Sequence, residues 1–262
     1  MFRLLQMVKL LISLIKAPFR RLILALSAHR IRFSSAFSAL STLGKYSPKE
    51  EVLRDAMKFA SSSRIPGDYL EFGVKKGGSF SAAYHLAQRT GIENPSYGLP
   101  TMHFYAFDSF KGLPEITETD EDEDHIFRQG DFAYSQREFV ETLRTDRVDL
   151  AKVTIVPGWY KDVLNKVTSE KLSLTLAAVI YIDCDLYTST VCVLDFIAAY
   201  VQDGTVLIFD DWYSFRGNPN RGQQRAFGEW LTNHPEYHAG PFSRFGFHGH
   251  SFIMSINAHR QE

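Results

Sequence analysis

Residues 177–210 read AAVIYIDCDLYTSTVCVLDFIAAYVQDGTVLIFD. Two continuous apolar runs, Ala177 to Ile182 and Thr205 to Phe209, each close on aspartate, and the segment from Thr188 to Val201 between them has helical spacing. Strands that are apolar at successive positions are buried on both faces, the mark of a parallel sheet covered by helices. The two runs are expected to be neighbours, with Asp183, Asp210 and Asp211 meeting at their carboxyl ends.

The same alternation extends upstream. Strands are predicted at Tyr69 to Val74, Phe104 to Asp108 and Val153 to Val156, with helices from Ser79 to Arg89, from Ser135 to Arg144 and a short one over 160–168. Ser47-Pro48-Lys49-Glu50 reads as a capping box with proline at the first helical position, opening a helix to about Ser62, and Ser135 with Glu138 forms a second box. A helix over Gln223 to Asn233 precedes two extended stretches, near 237–246 and 251–256, that pair as antiparallel strands. The pattern predicts an α/β doubly wound domain over 46–262, preceded by a helical extension over 1–45.

The chain has 262 residues, 45% of them hydrophobic and 14% aromatic, enough for a sizeable core, which excludes a disordered protein. Its 29 basic residues face 30 acidic ones, so it lacks the positive excess of a sequence-independent nucleic-acid binder, and no nucleic-acid partner is expected. Two cysteines, Cys184 and Cys192, within one strand-to-helix segment give no disulfide framework and fit a reducing, cytoplasmic setting.

Charge is unevenly spread. Residues 1–49 carry nine Lys or Arg and no carboxylate before Glu50. Arg3, Gln6, Lys9, Ser13 and Lys16 fall on one helical stripe opposite a broad apolar face. Lys9 and the Lys16-to-Arg21 segment interrupt a run too short to span a bilayer. Residues 1–33 are expected either to lie on an anionic membrane surface or to bury their apolar face against the domain or a second subunit, giving a homodimer.

In open α/β sheets, ligands bind beyond the carboxyl ends of the strands. After the first strand comes Glu71-Phe-Gly73-Val-Lys-Lys-Gly77-Gly78-Ser79, a glycine-rich turn into a helix that allows close backbone approach. Glu71 and Lys76 stand where a dinucleotide fingerprint requires glycine. Asp108 ends the second strand, where an acid can accept the hydroxyls of an adenosine ribose. An acidic glycine turn followed by an acid on the next strand describes a site for an adenosyl group without pyrophosphate, which points to S-adenosylmethionine. Asp183, Asp210 and Asp211, with no basic neighbour in sequence, predict a hard divalent cation such as magnesium.

Leu70-Glu-Phe-Gly-Val74, Phe107-Asp-Ser-Phe-Lys-Gly-Leu-Pro-Glu115, Gly130-Asp-Phe-Ala133, Pro157-Gly-Trp-Tyr-Lys-Asp162, Asp183-Cys-Asp-Leu-Tyr-Thr-Ser-Thr190 and Phe209-Asp-Asp-Trp212 occur in this order. In these blocks, over about 66–232, the chain resembles the macrocin O-methyltransferase family, magnesium-dependent enzymes that methylate sugar hydroxyls of antibiotics. The resemblance implies a class I methyltransferase (Rossmann-like) seven-stranded sheet and an acceptor that is a small molecule or glycan. It assigns Asp183, Asp210 and Asp211 to the metal, with Asp183 also the general base. It places Glu71, Gly73, Asp108 and Ser109 around the cofactor, with the Gly158-Trp159 turn nearby; Gly77 and Ser79 belong to the same glycine-rich turn.

Phe110, Trp159 and Tyr187 are expected to line the site beside the sulfonium. Arg221 and Arg225 are candidates to hold an acidic substrate group. The loop 113–134 is expected to order over substrate, its acids from Asp120 to Asp124 remaining solvated. Two rival classes are a non-catalytic membrane-surface module with a degenerate fold, which leaves the aspartates unexplained, and a metal-dependent hydrolase, which does not need the Glu71-to-Ser79 turn.

Overall fold

The computed structural model describes residues 46–92, 100–121 and 127–257. The expectations for the extension over 1–45 fall outside these residues, as do those for 122–124 of the acidic run. Among the described residues, no helix is long and apolar enough to cross a membrane.

Helix α1 (Pro48–Ser62) starts at the predicted capping box: the Ser47 hydroxyl accepts the Glu50 amide and the Glu50 carboxylate accepts the Ser47 amide. Strand β1 (Asp68–Phe72) leads into α2 (Gly78–Thr90), and β2 (Phe104–Asp108) into α3 (Gln136–Thr145), itself opened by the Ser135 box. After β3 (Val153–Pro157), the predicted single short helix is two, α4 (Tyr160–Val163) and α5 (Lys166–Lys171). Asn165 separates them by bonding back to the Asp162 carbonyl and capping the Thr168 amide. Then come β4 (Ala177–Ile182), α6 (Tyr187–Ile197), β5 (Val206–Phe209), α7 (Gly222–Asn233), β6 (Tyr237–Phe245) and β7 (Gly249–Ile256).

The seven strands form one sheet in the order β3-β2-β1-β4-β5-β7-β6. The first five are parallel, and β7 runs antiparallel to β5 and β6. β4 and β5 are neighbours as expected, Val179 opposite Val206. Strand order reverses between β1 and β4, so the crevice for a ligand opens where these two strands end.

Two cores cover the sheet. Leu53, Met57, Phe80 and Phe139 from α1, α2 and α3 meet Tyr69 and Tyr181 on one face. Phe196, Phe227 and Trp230 from α6 and α7 meet Phe72, Phe107 and Phe209 on the other. Full burial of such side chains contributes about 1.5–3 kcal/mol each. Period-two alternation puts Glu71 on the same face as Tyr69, beneath the start of α2.

Candidate active site

The ends of β1, β2 and β4 are laced together by backbone. The Asp183 amide donates to the Phe72 carbonyl (2.8 Å) and the Gly73 amide to the Phe107 carbonyl (2.9 Å). Asp108 Oδ2 accepts the amides of Val74 (2.9 Å) and Lys75 (3.1 Å), and Oδ1 that of Phe110 (2.7 Å). Burial pushes the Asp108 carboxyl above its ordinary range against these three donors. The Gly158 amide bonds to the Asp108 carbonyl, drawing the β3 turn to the same point.

These ends border a cavity of about 260 Å³. Of the residues expected around a cofactor, Gly73, Asp108, Ser109, Gly158 and Trp159 line it. Glu71, Gly77 and Ser79 lie beneath. Glu71 is fully buried, its oxygens accepting the Tyr69 and Ser79 hydroxyls at 2.5 Å each, and burial drives its carboxyl up to about 8 against those two bonds. Gly77 has φ of +87° and lies against the Phe139 ring, where a Cβ would approach to 2.8 Å.

The carboxylates gather at the same edge. Oxygens of Asp183, Asp185 and Asp211 lie within 4.8 Å of one another, and the Asp185 amide donates to Asp211 Oδ2. Gln223, from α7, accepts the Asp211 amide and donates to the Ile182 carbonyl, fixing the aspartate's backbone. Asp210 stands to one side, with Oδ1 on the Tyr181 hydroxyl and Oδ2 on Lys49 Nζ, each 2.7 Å away. Burial, then the nearby Asp183, pushes Asp185 to about 7, and burial followed by Asp185 drives Asp211 well up.

The absence of a basic neighbour in sequence does not carry over to space. Lys49 Nζ lies 2.9 Å from Asp183 Oδ2, and Lys75 Nζ 3.4 Å from Asp183 Oδ1. Burial lowers the proton affinity of Lys49, but its pairing with Asp183 and Asp210 outweighs this and leaves it raised.

The profile of the macrocin-O-methyltransferases (TylF) matches residues 39–224. The chain belongs to this family. Among similar family proteins are the mycinamicin III 3''-O-methyltransferase of Micromonospora griseorubida, 28% identical over 61% of each chain, and a rhamnosyl-tetracenomycin C 4'-O-methyltransferase of Streptomyces olivaceus, 30% identical over 56% of this chain and 54% of that one. The chain thus spans just over half the length of these curated relatives. The O-methyltransferase NovP superposes with a TM-score of 0.61 (23% identity, 79% of each chain), and the calicheamicin methyltransferase CalS11 with 0.59 (22% identity, 89% and 90%). The fold is that of the class I O-methyltransferases.

Other side chains fall differently from the sequence-based expectations for a macrocin-O-methyltransferase. Asp120 is not solvated: it is 1% exposed, and its carboxylate accepts the amide and hydroxyl of Thr188 at the start of α6. Tyr187 and Arg225 turn to Glu229, with the guanidinium 4.4 Å over the Tyr187 ring, so Arg225 is committed to its own helix. Arg221 lies 5.5 Å over Phe215. Phe110 packs against Phe139, whereas Phe132, from the Gly130-to-Ala133 block and not assigned to the site, lines the cavity with Lys75 Nζ 4.4 Å over its ring.

Asp185 is buried with φ of +59°, a conformation that few non-glycine residues adopt and that strained functional turns retain. Its spacing in Asp183-Cys-Asp185 was the available signal. Lys75 was visible within the glycine-rich turn; nothing local signalled Lys49.

Proposed function

We propose that this macrocin-O-methyltransferase family member transfers a methyl group from S-adenosylmethionine to a hydroxyl of a sugar or glycoconjugate, with a divalent metal at the carboxylate cluster. The observation that carries this reading is one cavity whose wall runs from Gly73, Asp108 and the Gly158-Trp159 turn to Asp183 and Asp185. The names of the similar enzymes, which act on mycinamicin III and on a rhamnosyl-tetracenomycin, support a sugar hydroxyl as acceptor.

Clustered carboxylate oxygens are the hard donor set that magnesium prefers. Asp183 and Asp211 would hold the ion together with Asp185, the third member of the cluster, while Asp210 stands beside it on Tyr181 and Lys49. Gly73, Asp108, Ser109 and Trp159 would hold the methyl donor. When bound, the donor supplies an electrophilic methyl group and the metal lowers the pKa of a coordinated hydroxyl.

The chain's own residues do the positioning. Asp183 has each oxygen on an ammonium group, Lys49 on Oδ2 and Lys75 on Oδ1. Asp185 lines the cavity, and among the described residues its carboxylate receives no side-chain hydrogen bond, so the proton of the acceptor hydroxyl passes to Asp185. Asp185 here takes the role that the resemblance implies for Asp183. Trp159 and Phe132 present ring surface to a cation in the cavity and exclude water from it.

The test is calorimetric titration of S-adenosylhomocysteine with and without magnesium, followed by radiolabelled methyl transfer to free and nucleotide-linked deoxysugars. Binding that Asp108→Ala removes, in protein folded by circular dichroism, supports the reading. No binding by folded wild-type protein overturns it.

A further inference from the structure

Lys49 bridges the ends of two strands. Its ammonium stands 2.9 Å from Asp183 and 2.7 Å from Asp210, the two carboxylates that face it across β4 and β5. The capping box and Pro48 fix Lys49 in the first turn of α1, so its reach is set by local sequence. Four carboxylates, Asp183, Asp185, Asp210 and Asp211, gather here, and among the described residues Lys49 and Lys75 are the ammonium groups paired with them.

The two lysines differ in what holds them: Lys49 makes ion pairs at 2.9 and 2.7 Å, Lys75 one at 3.4 Å. Lys75 follows the glycine turn and lies over the Phe132 ring. Lys49 has a side chain 41% exposed on a flexible stem, and it can leave for solvent without opening the core. A divalent ion among Asp183, Asp185 and Asp211 would compete for the Asp183 oxygen that Lys49 now pairs, and like charges repel strongly at such range, which would drive Lys49 from Asp210 as well.

We propose that Lys49 is a tethered counter-ion of the carboxylate cluster, which a divalent cation displaces from Asp183 and Asp210 as it binds. The proposal rests on the metal reading above. Lys49 offsets part of the negative charge of the metal-free site and weakens its affinity for metal. It also ties metal occupancy to the start of α1, because the ion pairs lost on binding are those that fasten this turn to the sheet.

Two measurements on the full chain test it. Manganese binding, followed by electron paramagnetic resonance, is compared for wild type and Lys49→Met; the variant is expected to bind about ten-fold more tightly or better. Acetylation of wild-type lysines, read by mass spectrometry, is expected to speed several-fold at Lys49 when manganese is added, with the exposed Lys111 unchanged as reference. Equal or weaker binding by folded Lys49→Met, or labelling of Lys49 that does not accelerate, overturns the proposal. Should the variant fail to fold, the labelling decides alone. Failure of both proteins to bind manganese while S-adenosylhomocysteine still binds overturns this proposal and the metal reading together and leaves methyl transfer standing.

Discussion

Gly73 and Asp183 meet so closely that a Cβ on Gly73 would stand 1.9 Å from the Asp183 carbonyl oxygen. Gly73 also has φ of +91°, so a side chain there is both strained and blocked by backbone. The sequence suggests that this glycine admits a ligand; its first service is to let β1 and β4 converge where strand order reverses. Gly73→Ala is expected to destabilise the fold by about 3 kcal/mol or more in urea unfolding and to abolish S-adenosylhomocysteine binding. Gly228→Ala, inside α7 with open space at its Cβ, is the control and is expected to stabilise by about 0.5–1 kcal/mol.

Glu71 gives a pH prediction with a definite sign. Burial raises its folded pKa to about 8 from an ordinary 4.5, so the folded state takes up the proton that the unfolded state releases. The contribution of neutral Glu71 is complete below pH 4.5 and is lost as pH rises through about 8. Wild-type stability should fall relative to Glu71→Gln by roughly 1 kcal/mol per pH unit within that window. Denaturation midpoints of the two proteins from pH 5 to 8.5 check this, and parallel curves would contradict the assigned protonation.

What could be read from the chain follows from how local each cause is. The strands of the parallel sheet are continuous apolar runs, and the capping boxes at Ser47 and Ser135 are four-residue signals, so both are legible directly. Asp108 and Gly73 are legible because the carboxyl ends of strands are where a doubly wound sheet binds ligands. Lys49 is not, because its partner Asp183 is 134 residues away and no periodicity states what the start of α1 faces. Asp120 is hidden by composition: a run of acids looks solvated, and one member is buried because the unpaired amide at Thr188 needs an acceptor. The depth of Glu71 is legible in its alternation with Tyr69.

Asp120 also predicts a link between the loop after β2 and the site. The loop closes at its base through reciprocal backbone bonds of Leu113 with Asp131 and Gly130, and Asp120 pins its middle to Thr188 and Thr117. Thr117 and Thr188 both line the cavity. Asp120→Ala should cost about 1–3 kcal/mol, since it leaves a helix-start amide without its cap. Hydrogen exchange over 113–121 should rise, and S-adenosylhomocysteine should bind several-fold more weakly. Unchanged exchange would mean that the backbone bonds at the base hold the loop by themselves.

The separate roles given to neighbouring carboxylates can be told apart by kinetics. Asp211 lies in the carboxylate cluster without lining the cavity, whereas Asp185 lies in both. Asp211→Asn is expected to weaken manganese binding and to abolish the stabilisation that saturating metal gives wild type, on the order of 2–3 kcal/mol at a hundred-fold excess over Kd and read as a rise in Tm. Asp185→Asn should still bind S-adenosylhomocysteine and, through Asp183 and Asp211, metal more weakly than wild type, yet lose about 10²–10⁴-fold in kcat through the missing proton acceptor. The loss should appear in kcat with KM for the methyl donor little changed, since the wall formed by Gly73, Asp108 and Trp159 is intact. If instead Asp183→Asn alone removes turnover while metal binding survives, the proton goes to Asp183, as the sequence first suggested, and its pairing with two lysines must be released before each turnover.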